Sequence, residues 1–543
     1  MAETSRHYTA DVIIIGGGLA GLVTAYELLD QNKTVVILER DKQEKLGGLA
    51  KDSFGGIMMV DTPLQRKNGI KDSPELALAD WHNYARFDED ALWPKKWAEH
   101  YVTRSRDIIH DWLAKRNVTF LPVVNWPERG LYIPGNSVPR WHIAWGTGYG
   151  IIEAILNDLN AHPRIKNLTI HCDHQVNGLE FTNGAVTGCC GVLEGKTTEF
   201  RAEGKAVVAA AGGMCGGDLS MVRENWYKPW GPPPRILLNG SHPYADGTIH
   251  RCIENVGGNI THLDKQWHYA AGVRYPKADM ENKGLSLVPP RSALWLNALG
   301  ERIMSPGPLV SYSDTRHLVE QILKQPGQYS WHLMNWKIAI KELAVSGSEH
   351  MKAFRYRNKL KLVKDVLFGN TELVKRLIRE SKDFVVADNL TDLVRKMNSL
   401  DNEFQVNAET VKAEVSAYDG RIKRGTAYHN DDQLRRIADF RTYRGDRIRM
   451  CKFQTIDDPK ARPLIAIRQF ILSRKSLGGA QTDLSCRVLT PSGEVIPGLY
   501  AAGETAGFGG GGIHGLGSLE GTFLGSCVLM GRIAAQAICN KQL

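Results

Sequence analysis

The sequence predicts an α/β protein, a Rossmann-like nucleotide-binding core interrupted by an inserted domain. Three observations carry this. A glycine-rich strand–turn–helix occupies residues 11–21 and runs on to about 29. Strand-then-glycine sequence returns at 206–213 and at 498–504. The stretch from about 276 to 472 has a different, helical and charge-rich character.

The first unit is the most specific. Val12-Ile13-Ile14-Ile15 is an apolar run of the kind found in buried parallel strands. It ends in Gly16, Gly18 and Gly21 at the G-x-G-x-x-G spacing, and residues 22–29 continue as a helix. A second apolar run, 34–38, ends in Glu39, 18 residues after Gly21. This is a βαβ unit able to hold the diphosphate of a dinucleotide. Gly16 permits the tight turn, Gly18 lets the backbone approach the pyrophosphate, and Gly21 lets the helix pack close to the sheet. The first turn, with Leu19 and Ala20, offers free N–H groups and the positive helix end to the anion. Glu39 is placed to accept hydrogen bonds from a ribose, and its charge argues against a 2′-phosphate and hence against NADP. A lone glycine motif is weak, since ordinary βα turns share it. Here strand, helix, second strand and terminal acid fall in register. The unit by itself does not separate FAD from NAD.

Composition bounds the rest. The 543 residues are enough for two to four domains. Hydrophobic content of 43% and charged content of 23% are those of a globular protein. A net charge of +9 is modest, and no nucleic-acid module is visible. No run of about 18 apolar residues occurs; the nearest, 523–538, is broken by Ser526, Gly531 and Arg532 and reads as a buried helix. Residues 1–9 are polar, and no secretory signal is expected. Nine scattered cysteines without zinc spacing point to a reducing, cytoplasmic setting and to no metal.

Between the two ends, residues 74–117 have helical periodicity and carry Trp81, Trp93, Trp97 and Trp112. A Gly/Pro-rich loop spans 135–148, a helix 151–160, and β-type segments 168–200. Residues 206–213 form a buried strand ending in Gly212 and Gly213. Residues 315–450 are helical, with a basic stretch at 421–452.

Several motifs together resemble the flavoprotein superfamily of fumarate reductase, succinate dehydrogenase and the 3-ketosteroid dehydrogenases. Gly47-Gly48-Leu49-Ala50 is similar to the second glycine doublet that follows the ribose acid, which favours FAD over NAD. Val207 to Gly213 is similar to a strand-ending Ala-Thr-Gly-Gly motif, with Ala211 in place of threonine. Tyr244-Ala245-Asp246-Gly247 resembles a Gly-Asp-Gly turn. Asn297 to Ile303 resembles Asn-x-x-Gly-x-Arg-Phe, and 498–504 matches Gly-Leu-Tyr-Ala-Ala-Gly-Glu. The loops at 135–148, 441–447 and 507–515 resemble a bacterial subfamily called only FAD-binding dehydrogenase. The resemblance implies a Rossmann-like FAD-binding domain at 1–275 and 473–543, with an α+β capping domain inserted at 276–472. It implies that Arg40, Val176, Ala211, Gly212, Asp246, Gly503, Glu504, Ser518 and Leu519 join the first-unit residues and the Gly47–Ala50 doublet segment in holding FAD. No histidine stands in the short stretch after Gly48, so the FAD is expected to be non-covalent.

The family's chemistry is hydride transfer between flavin N5 and a carbon next to a carbonyl, which needs an acid/base and donors for enolate-like charge. Gln266-Trp267-His268-Tyr269 is similar to Gln-Phe-His-Pro, making His268 a candidate substrate donor. Asp314-Thr315-Arg316 resembles the segment carrying the proton-delivering arginine, making Arg316 a candidate. His142, with Trp141, Trp145 and Tyr132, is a candidate peculiar to this chain, as are Arg441, Arg444 and Arg447. Two departures matter. Arg474 and Ser518 stand where fumarate reductases have a dicarboxylate-binding histidine and arginine. Ile513 stands where ketosteroid dehydrogenases have a catalytic tyrosine. The expectation is dehydrogenation or reduction of a C–C bond in an apolar ketone or enone rather than fumarate, with a separate electron acceptor. The alternatives are a hydratase-like use of FAD as structure and an FAD-binding subunit of a larger redox complex.

Overall fold

The computed structural model describes residues 5–540 apart from 277, 279 and 402. A six-stranded sheet runs in the order Arg487–Leu489, Val495–Ala501, Ala206–Ala209, Val12–Ile15, Val35–Leu38, Leu168–His171. All its pairings are parallel except the edge pair Arg487–Leu489 with Val495–Ala501. The opening strand lies in the interior of this sheet, which is why it is apolar at every position: Val12, Ile13, Ile14 and Ile15 are all buried.

The helix Leu19–Asp30 packs against the last helix, Thr522–Ile538. Close approach depends on Gly531, where a Cβ would meet the Ala20 carbonyl oxygen at 2.7 Å. Thr24 Oγ1 donates to the Gly531 carbonyl at 3.1 Å across the same contact. The early and late segments thus share one core. A separate four-stranded sheet, ordered Arg6–Thr9, Glu199–Glu203, Ala185–Leu193, His174–Thr182, flanks it.

A second, larger sheet is organised on the long strand Leu464–Ser476. Gln266–Arg274, Tyr329–Asn335 and Phe384–Ala387 pair with it antiparallel, and Leu237–Asn239 parallel. Helices within 315–450 pack around it, so this region is α+β rather than helical throughout. Its core draws on Met214, Leu237, Leu238 and Ala270, all ahead of residue 276, and the long strand passes residue 473 unbroken. The sheet draws strands from both sides of residue 276, and the first of the helices beyond that residue begins only at Thr315. No helix among the described residues is long and apolar enough to cross a membrane.

Candidate active site

One deep cavity is lined from both sheets. On the side of the six-stranded sheet its wall is mostly backbone. Gly16 takes φ +103°, and a Cβ there would meet the Ala210 carbonyl oxygen at 2.5 Å; the turn admits only glycine. A Cβ on Gly21 would meet the Gly16 oxygen at 2.1 Å, so this glycine serves the turn and does not itself line the cavity. Gly18 and Gly47 pair as a bridge, bringing the two glycine motifs together. Glu39 is fixed by two amides: Gly17 N donates to Oε2 at 2.6 Å and Asp41 N to Oε1 at 2.7 Å. Arg40 is held by Glu194 and Asp246, each at 2.7 Å, with its guanidinium 4.3 Å from the Tyr244 ring centre.

Elsewhere the cavity wall is built of side chains. Tyr269, on the strand Gln266–Arg274, donates its hydroxyl to Oε1 of Glu520. Lys475 and Arg474, on the long strand, lie with their charged centres 5.7 and 5.5 Å from the Tyr269 ring centre. Burial pushes the Lys475 ammonium down to about 8. It pushes the Glu504 carboxyl up to about 6, although Ser476 N donates to that carboxylate at 2.9 Å. Tyr312, at φ +62°, presents a hydroxyl that makes no hydrogen bond among the described residues. Burial, then the Glu520 charge, hold both phenols above their ordinary value, Tyr269 well above it. Phe54, Trp126, Trp141 and Phe523 supply flat apolar walls.

Comparison with known proteins shows the family. The model of the FAD-binding domain family matches residues 11–524. The chain belongs to the FAD-binding domain family. It is 40% identical over 547 residues to a KsdD-like steroid dehydrogenase of Mycobacterium tuberculosis, covering 97% of this chain and 95% of that protein. Among solved structures it is similar to a 3-ketosteroid delta1-dehydrogenase from Sterolibacterium denitrificans (TM-score 0.68, 16% identity, 98% of this chain and 99% of the other). It is equally similar to a flavocytochrome c3 fumarate reductase (TM-score 0.69, 19% identity, 98% and 78%). The fold alone therefore does not separate the two activities.

The cradle fits an FAD. At Gly18 and Gly212 a Cβ would meet nothing within 4 Å, so both glycines leave space open on the cavity side rather than filling it with side chain. The N-termini of Leu19–Asp30 and Thr522–Ile538 both reach the cavity, where their free N–H groups favour anionic groups. Leu19, Ala20, Leu49, Ala50, Val176, Ala211, Asp246, Gly48, Gly503 and Glu504 line it as well. Ser518 and Leu519 do not. Ser518 Oγ turns inward to Thr522 Oγ1 at 3.1 Å, and the next two residues, Glu520 and Gly521, reach the cavity instead.

The structure does not bring the three catalytic candidates to this cavity. His142 is wholly buried, with Nε2 2.8 Å from Thr62 Oγ1 and Nδ1 2.7 Å from the Arg140 carbonyl oxygen. It anchors its loop, and burial holds it down at about 4, so it is neutral. His268 stacks on Trp226 and bonds Gln266 Oε1 at 3.0 Å; burial, then the Arg316 charge, push it down to about 3. Successive side chains on a strand point to opposite faces. Tyr269 faces the cavity, so His268 faces away. Arg316 packs on Tyr227 and Trp230, bonds Glu320 at 2.9 Å, and ties its helix to the Leu516 carbonyl oxygen at 2.9 Å. Of the loop residues, Trp141 lines the cavity, whereas Tyr132 is exposed and Trp145 packs on Phe354. Arg441 bonds the Met450 and Cys451 carbonyls, and Arg444 and Arg447 are exposed.

Two other tyrosines, Tyr269 and Tyr312, line the cavity. Tyr269 occupies the place where the resembling motif has proline, which was a usable signal. Tyr312 stood in no motif, and only the fold brings it and Glu520 to the same wall.

Proposed function

We propose that this protein is an FAD-dependent dehydrogenase that removes hydrogen across a C–C bond beside the ketone of a steroid-like substrate. The observation that carries the reading is the Tyr269–Glu520 pair, which lines the same cavity as Tyr312 and the glycine cradle. The 40% identity to a KsdD-like steroid dehydrogenase supports the same substrate class.

Gly16, Gly18, Glu39, Gly47, Gly48, Gly212 and Glu504 would hold the FAD, which we take to be non-covalent. Acid precipitation that leaves flavin in the supernatant checks this. Bound FAD supplies the hydride acceptor. Tyr269 keeps its proton in the resting protein, since its hydroxyl sits well above the ordinary phenol value. When a proton leaves the carbon beside the ketone for Tyr269 Oη, the Oη proton passes along the existing hydrogen bond to Glu520 Oε1. The pair ends with a neutral phenol and a protonated carboxyl. Arg474 and Lys475 oppose the negative charge that builds on Oη during the transfer. Tyr312 Oη, free of internal partners, donates to the substrate carbonyl oxygen and stabilises its enolate-like charge. Phe54, Trp126 and Trp141 bury a flat ring system and exclude water.

A dicarboxylate lacks its usual clamps here: Nη1 of Arg474 is spent on the Gly240 carbonyl and Ser518 points away. None of the nine cysteines is in a disulfide, which supports the reducing, cytoplasmic location we propose. The experiment is steady-state turnover of 3-keto steroids by the FAD-loaded protein with an artificial electron acceptor, beside fumarate with a reduced dye. Ketone oxidation that needs the acceptor supports the reading. Fumarate reduction in its place, or turnover with the flavin permanently oxidised and no acceptor, would contradict it.

A further inference from the structure

The cavity wall carries an arginine, Arg449, that forms no ion pair among the described residues. Asp446 and Arg449, on the short helix Arg444–Arg449, both line the cavity. Asp446 is fully engaged: Oδ1 accepts from Arg291 Nη1 at 2.6 Å and Oδ2 from Arg129. Those two guanidiniums lie 4.4 and 4.6 Å from the Phe440 ring centre, which locks the trio. Glu342, the other acid on this wall, accepts from Ser292 N at 3.1 Å, Ser292 Oγ at 2.6 Å and Cys451 N at 2.7 Å. Arg129 also pairs with Asp439 at 3.5 Å, so every carboxylate of this cluster is already engaged by groups other than Arg449.

Arg449 makes no hydrogen bond and no ion pair among the described residues. Its side chain is exposed and lines the cavity. Desolvation, and then Arg291, lower its proton affinity, but a guanidinium stays charged at any working pH. The segment is held rigidly, since Arg441 bonds the carbonyls of Met450 and Cys451 just beyond. Tyr312 interacts electrostatically with both Glu520 and Arg449. Arg449 therefore neighbours the reacting end without belonging to the Tyr269–Glu520 pair.

We propose that Arg449 receives a carboxylate on the substrate, so that the enzyme acts on keto acids, steroid-like ketones that also carry an acidic group. This rests on the dehydrogenase reading and narrows it. A guanidinium gives a carboxylate two parallel N–H donors, and a charge-assisted pair in an enclosed site is strong. Arg449 is a specificity residue in this account, distinct from the acid/base pair.

The test uses the FAD-loaded enzyme. Calorimetry compares a fully saturated steroid carboxylic acid, which has no ketone and cannot turn over, with its methyl ester. The acid is expected to bind about tenfold tighter or more, less so at high salt. In Arg449→Gln the two affinities converge, and Arg449→Lys restores part of the difference. In turnover, the ratio of kcat/KM for a 3-keto steroid acid over its methyl ester falls toward one in Arg449→Gln. Equal binding of acid and ester to the wild-type enzyme would overturn the proposal. So would an equal loss of kcat on both ketones in Arg449→Gln, which would place the guanidinium at the reacting carbonyl. Failure to turn over either ketone would defeat the dehydrogenase reading alone, because calorimetry decides the carboxylate site without turnover.

Discussion

The two ends of the cavity are built on opposite principles. The cradle end is made of backbone: glycines at positive φ, helix N-termini, and one acid pinned by amides. The reacting end is made of side chains from Gln266–Arg274, the long strand, the loop holding Tyr312 and the residues before the last helix. A backbone site must be spelled with glycine at fixed spacing, because only glycine fits. A side-chain site needs only that some strand or loop deliver a phenol or a carboxylate, and many sequences do so. The cradle is therefore constrained residue by residue, while the reacting end is free to move its groups between elements.

Substitutions at the two ends should fail differently. The largest effect is expected at Gly18. Its φ of −72° suits any residue and a Cβ there meets no protein atom, so Gly18→Val should fold yet lose most of its flavin. The flavin-to-protein absorbance ratio, with circular dichroism as the folding control, checks this. A Gly18→Val protein that keeps full flavin would break the assignment of the cradle.

Next is Glu520→Gln, which removes the proton acceptor of Tyr269. It should lower kcat by about 10²-fold while leaving flavin content intact. An unchanged kcat would remove Glu520 from the mechanism.

Lys475 gives a smaller effect on stability. Its folded value near 8 lies below its ordinary 10.5, so between those values the folded, FAD-free protein binds fewer protons than the unfolded chain. Stability should therefore rise with pH across that window through this group, and Lys475→Met should flatten the rise. Denaturant unfolding at several pH values measures it.

The smallest effect on activity is expected at His142. Since it holds Thr62 and the Arg140 carbonyl, His142→Gln should cost about 1–3 kcal/mol of stability and leave kcat nearly unchanged. A large loss of kcat with stability intact would return it to the reaction.

The same contrast explains what could be read in the sequence. The parallel sheet, the joining of early and late segments and nearly the whole cradle were legible, because Gly16, Gly21, Gly47 and Glu39 have no substitutes in their roles. The insert was legible as a change of character but not in its extent, since Met214 and Leu237 are ordinary apolar residues that serve either core. At the reacting end, one position of strand alternation separated the expected His268 from the observed Tyr269. The register shift between Trp267 and His268 against the long strand cannot be seen in one-dimensional spacing. Arg316 was misread for another reason: an arginine stacked between two aromatic rings and one aimed at a substrate look alike in sequence.

The central claim is that Tyr269, and not His268, moves the proton. Rapid mixing of the FAD-loaded enzyme with a 3-keto steroid in the absence of oxygen and acceptor reads the chemical step directly as flavin bleaching. Tyr269→Phe, with flavin still bound, should slow that bleaching by about 10²–10⁴-fold, whereas His268→Asn should bleach at close to the wild-type rate. Bleaching at the wild-type rate in Tyr269→Phe, or its loss in His268→Asn, would contradict the account.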